Sequence, residues 1–298
     1  MNSTAPPFDP GPARNDGAQG RVAVVTDSTA YLPPAALRRH GIEAVPLTVV
    51  LGDEALEEGS EISARSLEAA LRERRAVTTS RPGPEMFARA YRAAADAGAS
   101  GIVSLHLSAE FSGTYDAALV AAGRSPVPVR VVDTGVVAMA LGFCALAAAE
   151  VAEAGGSLEE AVAAARKRAE GTSAVFCVDT LDYLRRGGRI GAAQALLGSA
   201  LAVKPLLELA DGRIALLEKV RTASRARARL EEIVLERAGT GPVDIAVHHL
   251  AAAEQADRLA ENFRKNVPGL RELHVTEVGA VIGAHTGPGL LGAVLSLG

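Results

Sequence analysis

The sequence predicts an α/β protein in two parts, a parallel-sheet half followed by a mixed, partly antiparallel half. Three observations carry this. Short β-branched apolar runs alternate with amphipathic segments over residues 21–153, and parallel strands need helical crossovers of that kind. Gly155-Gly156 then interrupts the pattern, and 298 residues exceed what one core usually serves. Beyond it, two apolar runs flank Asp211-Gly212, a pair that supplies the two positive φ values of a type I′ hairpin turn, so strands there also pair antiparallel.

Taken in order, residues 1–20 are rich in Pro, Gly, Asn and Asp and read as a disordered tail. Residues 21–155 form the expected N-terminal domain. Its first strand, over Arg21–Thr26, leads to a helix stopped by Gly41; Ile42–Leu51 reads as one further strand, and Ser63 caps a short helix to Arg74. Residues 77–84 read as a polar, proline-bearing break before a helix over Glu85–Asp96. A strand over Gly101–Leu107, a hydroxyl-rich loop and a helix from Tyr115 follow; then come a strand at Val129–Thr134 and a buried helix over Val136–Glu153.

Residues 156–298 form the second expected domain. Ser157 and Glu160 make a capping box for a helix to about Glu170, ahead of a strand at Ala174–Asp179, a short helix closed by Gly187-Gly188 and another helix. The Asp211-Gly212 hairpin precedes a helix over Ser224–Ala238, a strand at Val243–His249, a helix over Ala252–Asn266 and a strand at Leu273–Val278. Gly279–Gly292 is a glycine-spaced apolar segment with one polar insertion, His285-Thr286.

Charge and composition narrow the function. A net charge of −4 provides no basic field for nucleic acid. The longest apolar run, Val136–Ala149, is short of the roughly 20 residues a bilayer span needs, so no integral membrane span is expected. The two cysteines, Cys144 and Cys177, sit in apolar runs as buried thiols, which suits a reducing cytoplasm. Aromatics are only 3% of residues, so any apolar ligand meets aliphatic walls.

Chemistry concentrates where apolar runs end in hydroxyls. At the carboxyl end of a strand, free N–H groups opening the next helix bind anions. Ser108, Ser112, Gly113 and Thr114 lie at such a junction, and Thr79 and Ser80 form a second hydroxyl-rich loop. His285 and Thr286 complete the candidate site, because imidazole can donate to an anion in either protonation state. His248, His249 and His274 lack metal-ligand companions and receive no chemistry, and neither a metal nor a cofactor is expected.

From Arg21 to the C-terminus the chain resembles the DegV family. The resemblance rests on Val25–Thr29, Thr79–Pro82, Phe111–Tyr115, Val178–Ile190, Val203–Pro205, Asp211-Gly212, Lys219–Thr222 and Gly283–Gly289, in that order. It implies a fatty acid such as palmitate or oleate between two domains, its tail in an aliphatic tunnel. Thr79, Ser80, Ser112, Gly113, Thr114, His285 and Thr286 would hold the carboxylate. It further implies a non-catalytic carrier subunit that presents the acid to a separate fatty acid kinase, with Arg189 and Arg221 as candidate partner contacts. Of the departures from the family pattern, Arg81 in place of the usual Gln is the most consequential, either strengthening binding of an ionised ligand or facing solvent. Two other readings compete: a hydrolase or a phosphoryl or acyl transferase using Ser112 with His285 as base, and a lipid-sensing regulatory protein.

Overall fold

The computed structural model describes residues 20–196 and 204–298. The expected tail, apart from Gly20, lies outside them. Strand β1 (Val22–Asp27) is almost wholly buried. Helix α1 (Pro34–His40) opens on proline, whose missing N–H is unneeded there, and stops at Gly41 with φ 59°. The single strand expected over Ile42–Leu51 is two. Pro46 has no N–H for a ladder, so β2 (Glu43–Val45) ends before it and β3 (Thr48–Leu51) joins another sheet.

That second sheet is small and antiparallel, in the order β4-β3-β5, from β4 (Glu54–Glu57) and β5 (Val77–Ser80) on either side of β3. Residues 77–80 are therefore a strand, where a polar break was expected. Helix α2 (Ala64–Arg72) lies between β4 and β5 in the chain, and Ser63 and Ser66 bond reciprocally at its start. The little sheet carries Thr79 and Ser80 to the site.

Helix α3 (Pro84–Asp96), β6 (Gly101–His106), α4 (Thr114–Ala122), β7 (Val129–Asp133) and α5 (Met139–Glu153) complete the N-terminal half. Its main sheet, β2-β1-β6-β7, is parallel throughout. Phe87 and Tyr91 of α3 and Ala117 and Ala118 of α4 pack on one face through Val25 and Ile102. Helix α5 covers the other. It starts at Met139, three residues later than expected, because Ala138 takes φ 61° and ψ −151°, which leaves Val136 and Val137 outside the helix.

Helix α6 (Leu158–Glu170) begins at the expected capping box, with Ser157 accepting the Glu160 N–H at 3.2 Å and Glu160 accepting the Ser157 N–H at 2.7 Å. There follow β8 (Thr172–Cys177), α7 (Asp182–Arg186), β9 (Lys204–Ala210), β10 (Arg213–Val220), α8 (Ala223–Ala238), β11 (Val243–His249), α9 (Ala253–Asn266), β12 (Leu270–Glu277), α10 (Ala280–Thr286) and β13 (Leu291–Leu297). The helix expected after α7 is represented by a 3-10 segment over Gly191–Leu196, and the remainder of that stretch is outside the described residues.

The second large sheet has the order β10-β9-β8-β13-β11-β12, with β11 and β12 parallel and the other neighbours antiparallel. This is the mixed, partly antiparallel half that the hairpin signal predicts. Asp211 and Gly212 have φ 50° and 74°, as a type I′ turn requires. Helices α8 and α9 cover the outer face through Leu230, Val234 and Phe263. Helix α5 packs against β8 and β13 on the inner face while also touching β1 and β6. A helix clasped between two sheets must be apolar all round, which is why Met139–Glu153 shows no polar stripe. The largest apolar cluster accordingly runs through both halves, from Val24 and Val103 to Ala246 and Val294.

Candidate ligand-binding site

Between the halves lies a cavity with about 1020 Å³ of space, its open mouth included. Strand β5, the β6–α4 loop, the turn after α7 and the end of α10 supply its polar wall, with Thr79, Ser80, Arg81, Ser112, Arg189, His285 and Thr286. The rest is overwhelmingly apolar. Leu47, Leu107 and Val137 line it from the N-terminal half, and Leu184, Ile214, Ile282 and Val294 from the other. Val137 and Ala138 reach the cavity because α5 starts late.

Two segments remote in sequence meet at its polar end. Thr79 Oγ1 lies 2.7 Å from His285 Nε2. On the other side, the imidazole occupies the space that a side chain at residue 187 would fill: a Cβ on Gly187 would fall 2.1 Å from His285 Nδ1. Nδ1 is buried and has no hydrogen-bond partner among the described residues. Burial first, and then the Arg189 charge, push His285 down to about 4, so the ring is neutral at pH 7.

Arg189 ties the polar end together. Its Nε and Nη2 donate to the Phe111 carbonyl at 2.9 and 2.7 Å, and Nη1 donates to the Gly187 carbonyl at 2.6 Å. One guanidinium thus joins the loop before α4 to the turn behind His285. Arg189, expected from sequence as a candidate partner contact, lies in the cavity wall with its donors turned onto main-chain carbonyls. Arg221 is exposed after β10, away from the cavity, and makes no hydrogen bond or ion pair among the described residues.

The other expected residues divide between lining and support. Ser112 lines the cavity and shares a 2.8 Å hydrogen bond with Thr114, which is itself buried behind it. Gly113 is the residue before α4 and also stands back from the lining. Thr286 lines the cavity but spends its hydroxyl hydrogen on the Ile282 carbonyl at 3.0 Å. Ser80 is exposed at the mouth. Ser108 instead bridges the halves, donating to the Gly212 carbonyl at 2.8 Å. The pair that an acyl-transfer reading needs, Ser112 with His285, is not among these contacts.

Three features escaped the sequence reading. His248 lines the cavity, accepting the Met139 N–H at 3.2 Å and pairing Nδ1 with the Thr276 carbonyl at 3.3 Å; burial pushes it down to about 4. It caps α5, where the Ala138 methyl has no acceptor to offer, and so remains structural. Glu58 accepts the Val281 N–H at 2.8 Å and the Tyr31 hydroxyl at 3.1 Å, while the Ile282 N–H donates to Tyr31 at 3.3 Å. Two residues of the N-terminal half therefore hold the start of the helix that ends in His285 and Thr286. Asp27, His106, Ser104 and Tyr91 form a buried chain, with Asp27 also accepting the Leu107 N–H. It fixes the carboxyl ends of β1 and β6, beneath the cavity loops. Among the described residues there is no group of three His, Cys, Asp or Glu that could hold a metal, and no helix long and apolar enough to cross a membrane.

The DegV family model, whose description reads "Uncharacterised protein, DegV family", matches residues 21–297. The chain belongs to the DegV family. A DegV domain-containing protein of Streptomyces coelicolor is 75% identical over 275 residues, spanning 92% of this chain and 98% of its own length. Two solved structures share the fold with a TM-score of 0.87. One, described by its fatty acid binding, is a DegV family protein of Thermus thermophilus, 36% identical and covering 93% of this chain and 99% of its own. The other is DegV of Bacillus subtilis, described as a fatty acid binding protein, 34% identical and covering 94% and 100%. In this DegV chain four of the segments that carry the family resemblance converge in space: residues of Thr79-Ser80, Phe111–Tyr115, Gly187–Arg189 and His285-Thr286 meet at one end of the cavity.

Proposed function

We propose that this DegV chain is a non-catalytic carrier that binds one long-chain fatty acid, such as palmitate or oleate, and presents it to a separate fatty acid kinase in the cytoplasm. One observation carries the binding reading: hydroxyls, an imidazole and two guanidinium groups gather at one end of a cavity whose remaining walls are mostly apolar. An amphiphile with a compact anionic head and a long apolar tail matches that division. At about 0.8 kcal/mol per buried CH₂, a tail of about 14 to 18 carbons contributes on the order of 10 kcal/mol before ordering costs, so modest head-group contacts suffice. The fatty acid binding of the Thermus thermophilus and Bacillus subtilis relatives supports the same reading. Family resemblance supports the presentation step, and the two free, buried cysteines fit a reducing compartment.

The test is mass spectrometry on protein purified from bacteria without added lipid, followed by titration of the delipidated chain with palmitate. One bound long-chain fatty acid is expected. Ser112→Ala and Thr79→Ala each remove a hydroxyl from the polar end and are expected to weaken palmitate binding roughly tenfold to a hundredfold. Lipid-free protein that also ignores palmitate and oleate defeats the proposal.

A further inference from the structure

Building on the fatty-acid reading, we infer that Arg81 supplies the counter-charge to the ligand's carboxylate and makes the site select an ionised acid over a neutral lipid head group. Three residues at the polar end could carry positive charge: Arg81, Arg189 and His285. Arg189 has its donors on the Phe111 and Gly187 carbonyls. The His285 ring is partly buried and neutral at pH 7. Arg81 is the cation left uncommitted, because its guanidinium makes no hydrogen bond or ion pair among the described residues.

The position of Arg81 points the same way. Its guanidinium lies over Gly113, where a Cβ would fall 2.4 Å from Nη1 and 3.0 Å from Cδ. Gly113 precedes a nine-residue helix, α4, and offers no side-chain cap. A cation at a helix N-terminus faces the positive end of the dipole, an unfavourable placement until an anion sits between them. Neither nearby acidic side chain pairs with Arg81: Glu85 pairs with Arg124, and Asp116 in the first turn of α4 makes no ion pair among the described residues. Ser80 and Ser112 flank the same mouth with hydroxyl donors. A planar guanidinium meets a carboxylate through two parallel hydrogen bonds, which a glutamine at this position cannot match.

The experiment titrates the delipidated full chain with palmitate and with hexadecan-1-ol by calorimetry. Wild-type protein is expected to prefer palmitate, with that preference shrinking as salt rises. Arg81→Gln is expected to weaken palmitate binding about tenfold to a hundredfold while hexadecan-1-ol changes by less than about twofold. Arg81→Lys keeps the charge without the fork and should fall between them. Equal losses for both ligands, no loss for either, or a wild-type protein indifferent to the head group overturns the assignment. If palmitate still binds tightly and selectively to Arg81→Gln, only the Arg81 assignment falls; if wild-type protein binds neither lipid, the fatty-acid reading falls and takes Arg81 with it.

Discussion

Glu58 accepts the main-chain N–H of Val281 at 2.8 Å, so a carboxylate from the end of β4 caps the helix that carries His285 and Thr286. The same carboxylate receives the Tyr31 and Ser28 hydroxyls, and burial is the main cause that raises its pKa. The head-group helix of one half is thus positioned by the other half.

Truncating that carboxylate should release α10. Glu58→Ala leaves the buried Val281 N–H and two part-buried hydroxyls without their acceptor, and an unpaired buried group costs about 1–3 kcal/mol, so a stability loss of at least about 1 kcal/mol is expected along with weaker palmitate binding. Glu58→Gln retains an acceptor for Val281 and should be milder. Urea denaturation and lipid titration of both variants give the answer. A loss below about 0.5 kcal/mol in Glu58→Ala, the range of ordinary surface substitutions, would show that the clasp holds nothing.

Acid should weaken the fold through two histidines that never touch each other. Burial pushes both His248 and His285 down to about 4, whereas an unfolded histidine titrates near 6.5. The unfolded chain therefore takes up protons first. This stabilisation is complete above pH 6.5 and is lost as pH falls from 6.5 towards 4, with a slope of up to about 1.4 kcal/mol per pH unit per histidine. His285 is only partly buried by surface area, so His248 should dominate. Urea midpoints between pH 7.5 and 4.5 should fall less steeply in His248→Asn than in wild type. Parallel slopes in the two proteins would remove His248 as the source.

The contacts that fix the site differ in how far they show in sequence. Thr79, Ser112 and His285 stand out because each is a polar insertion where an apolar run ends. Their mutual placement was not readable, and neither was Gly187, whose missing side chain matters only because His285 fills the space. Glu58 and Tyr31 gave no signal: their partners on α10 lie 223 and 251 positions away, and one glutamate in an acidic stretch reads as solvated. Among the elements, those with strong periodicity or caps, such as α2 and α6, are where sequence put them. The strands β3, β4 and β5 span four residues each, too few for a period of two to stand out in sequence even where burial alternates along β3 and β5, and Pro46 marks the break between β2 and β3. Strand β13 is buried along almost its whole length, so it lacks the polar alternation that identifies a strand with one wet face.

The two arginines that the sequence offered to a kinase should separate experimentally. Arg189 spends its guanidinium on the Phe111 and Gly187 carbonyls, behind the ring of His285. Arg189→Ala should therefore loosen both segments, reducing stability and co-purified fatty acid together, with each lost charge-assisted bond contributing about 1.5–3 kcal/mol. Arg221 is exposed just before Thr222, whose hydroxyl caps α8, and makes no hydrogen bond or ion pair among the described residues. Arg221→Ala should leave stability within about 0.5 kcal/mol and lipid content unchanged. If Arg221 meets the kinase, its loss lowers acyl-phosphate formation when the lipid-loaded chain is mixed with a fatty acid kinase and ATP, and excess carrier restores the rate because only docking is weakened. Normal turnover at limiting carrier, or a fall in lipid content matching the fall in turnover, removes Arg221 from the docking surface.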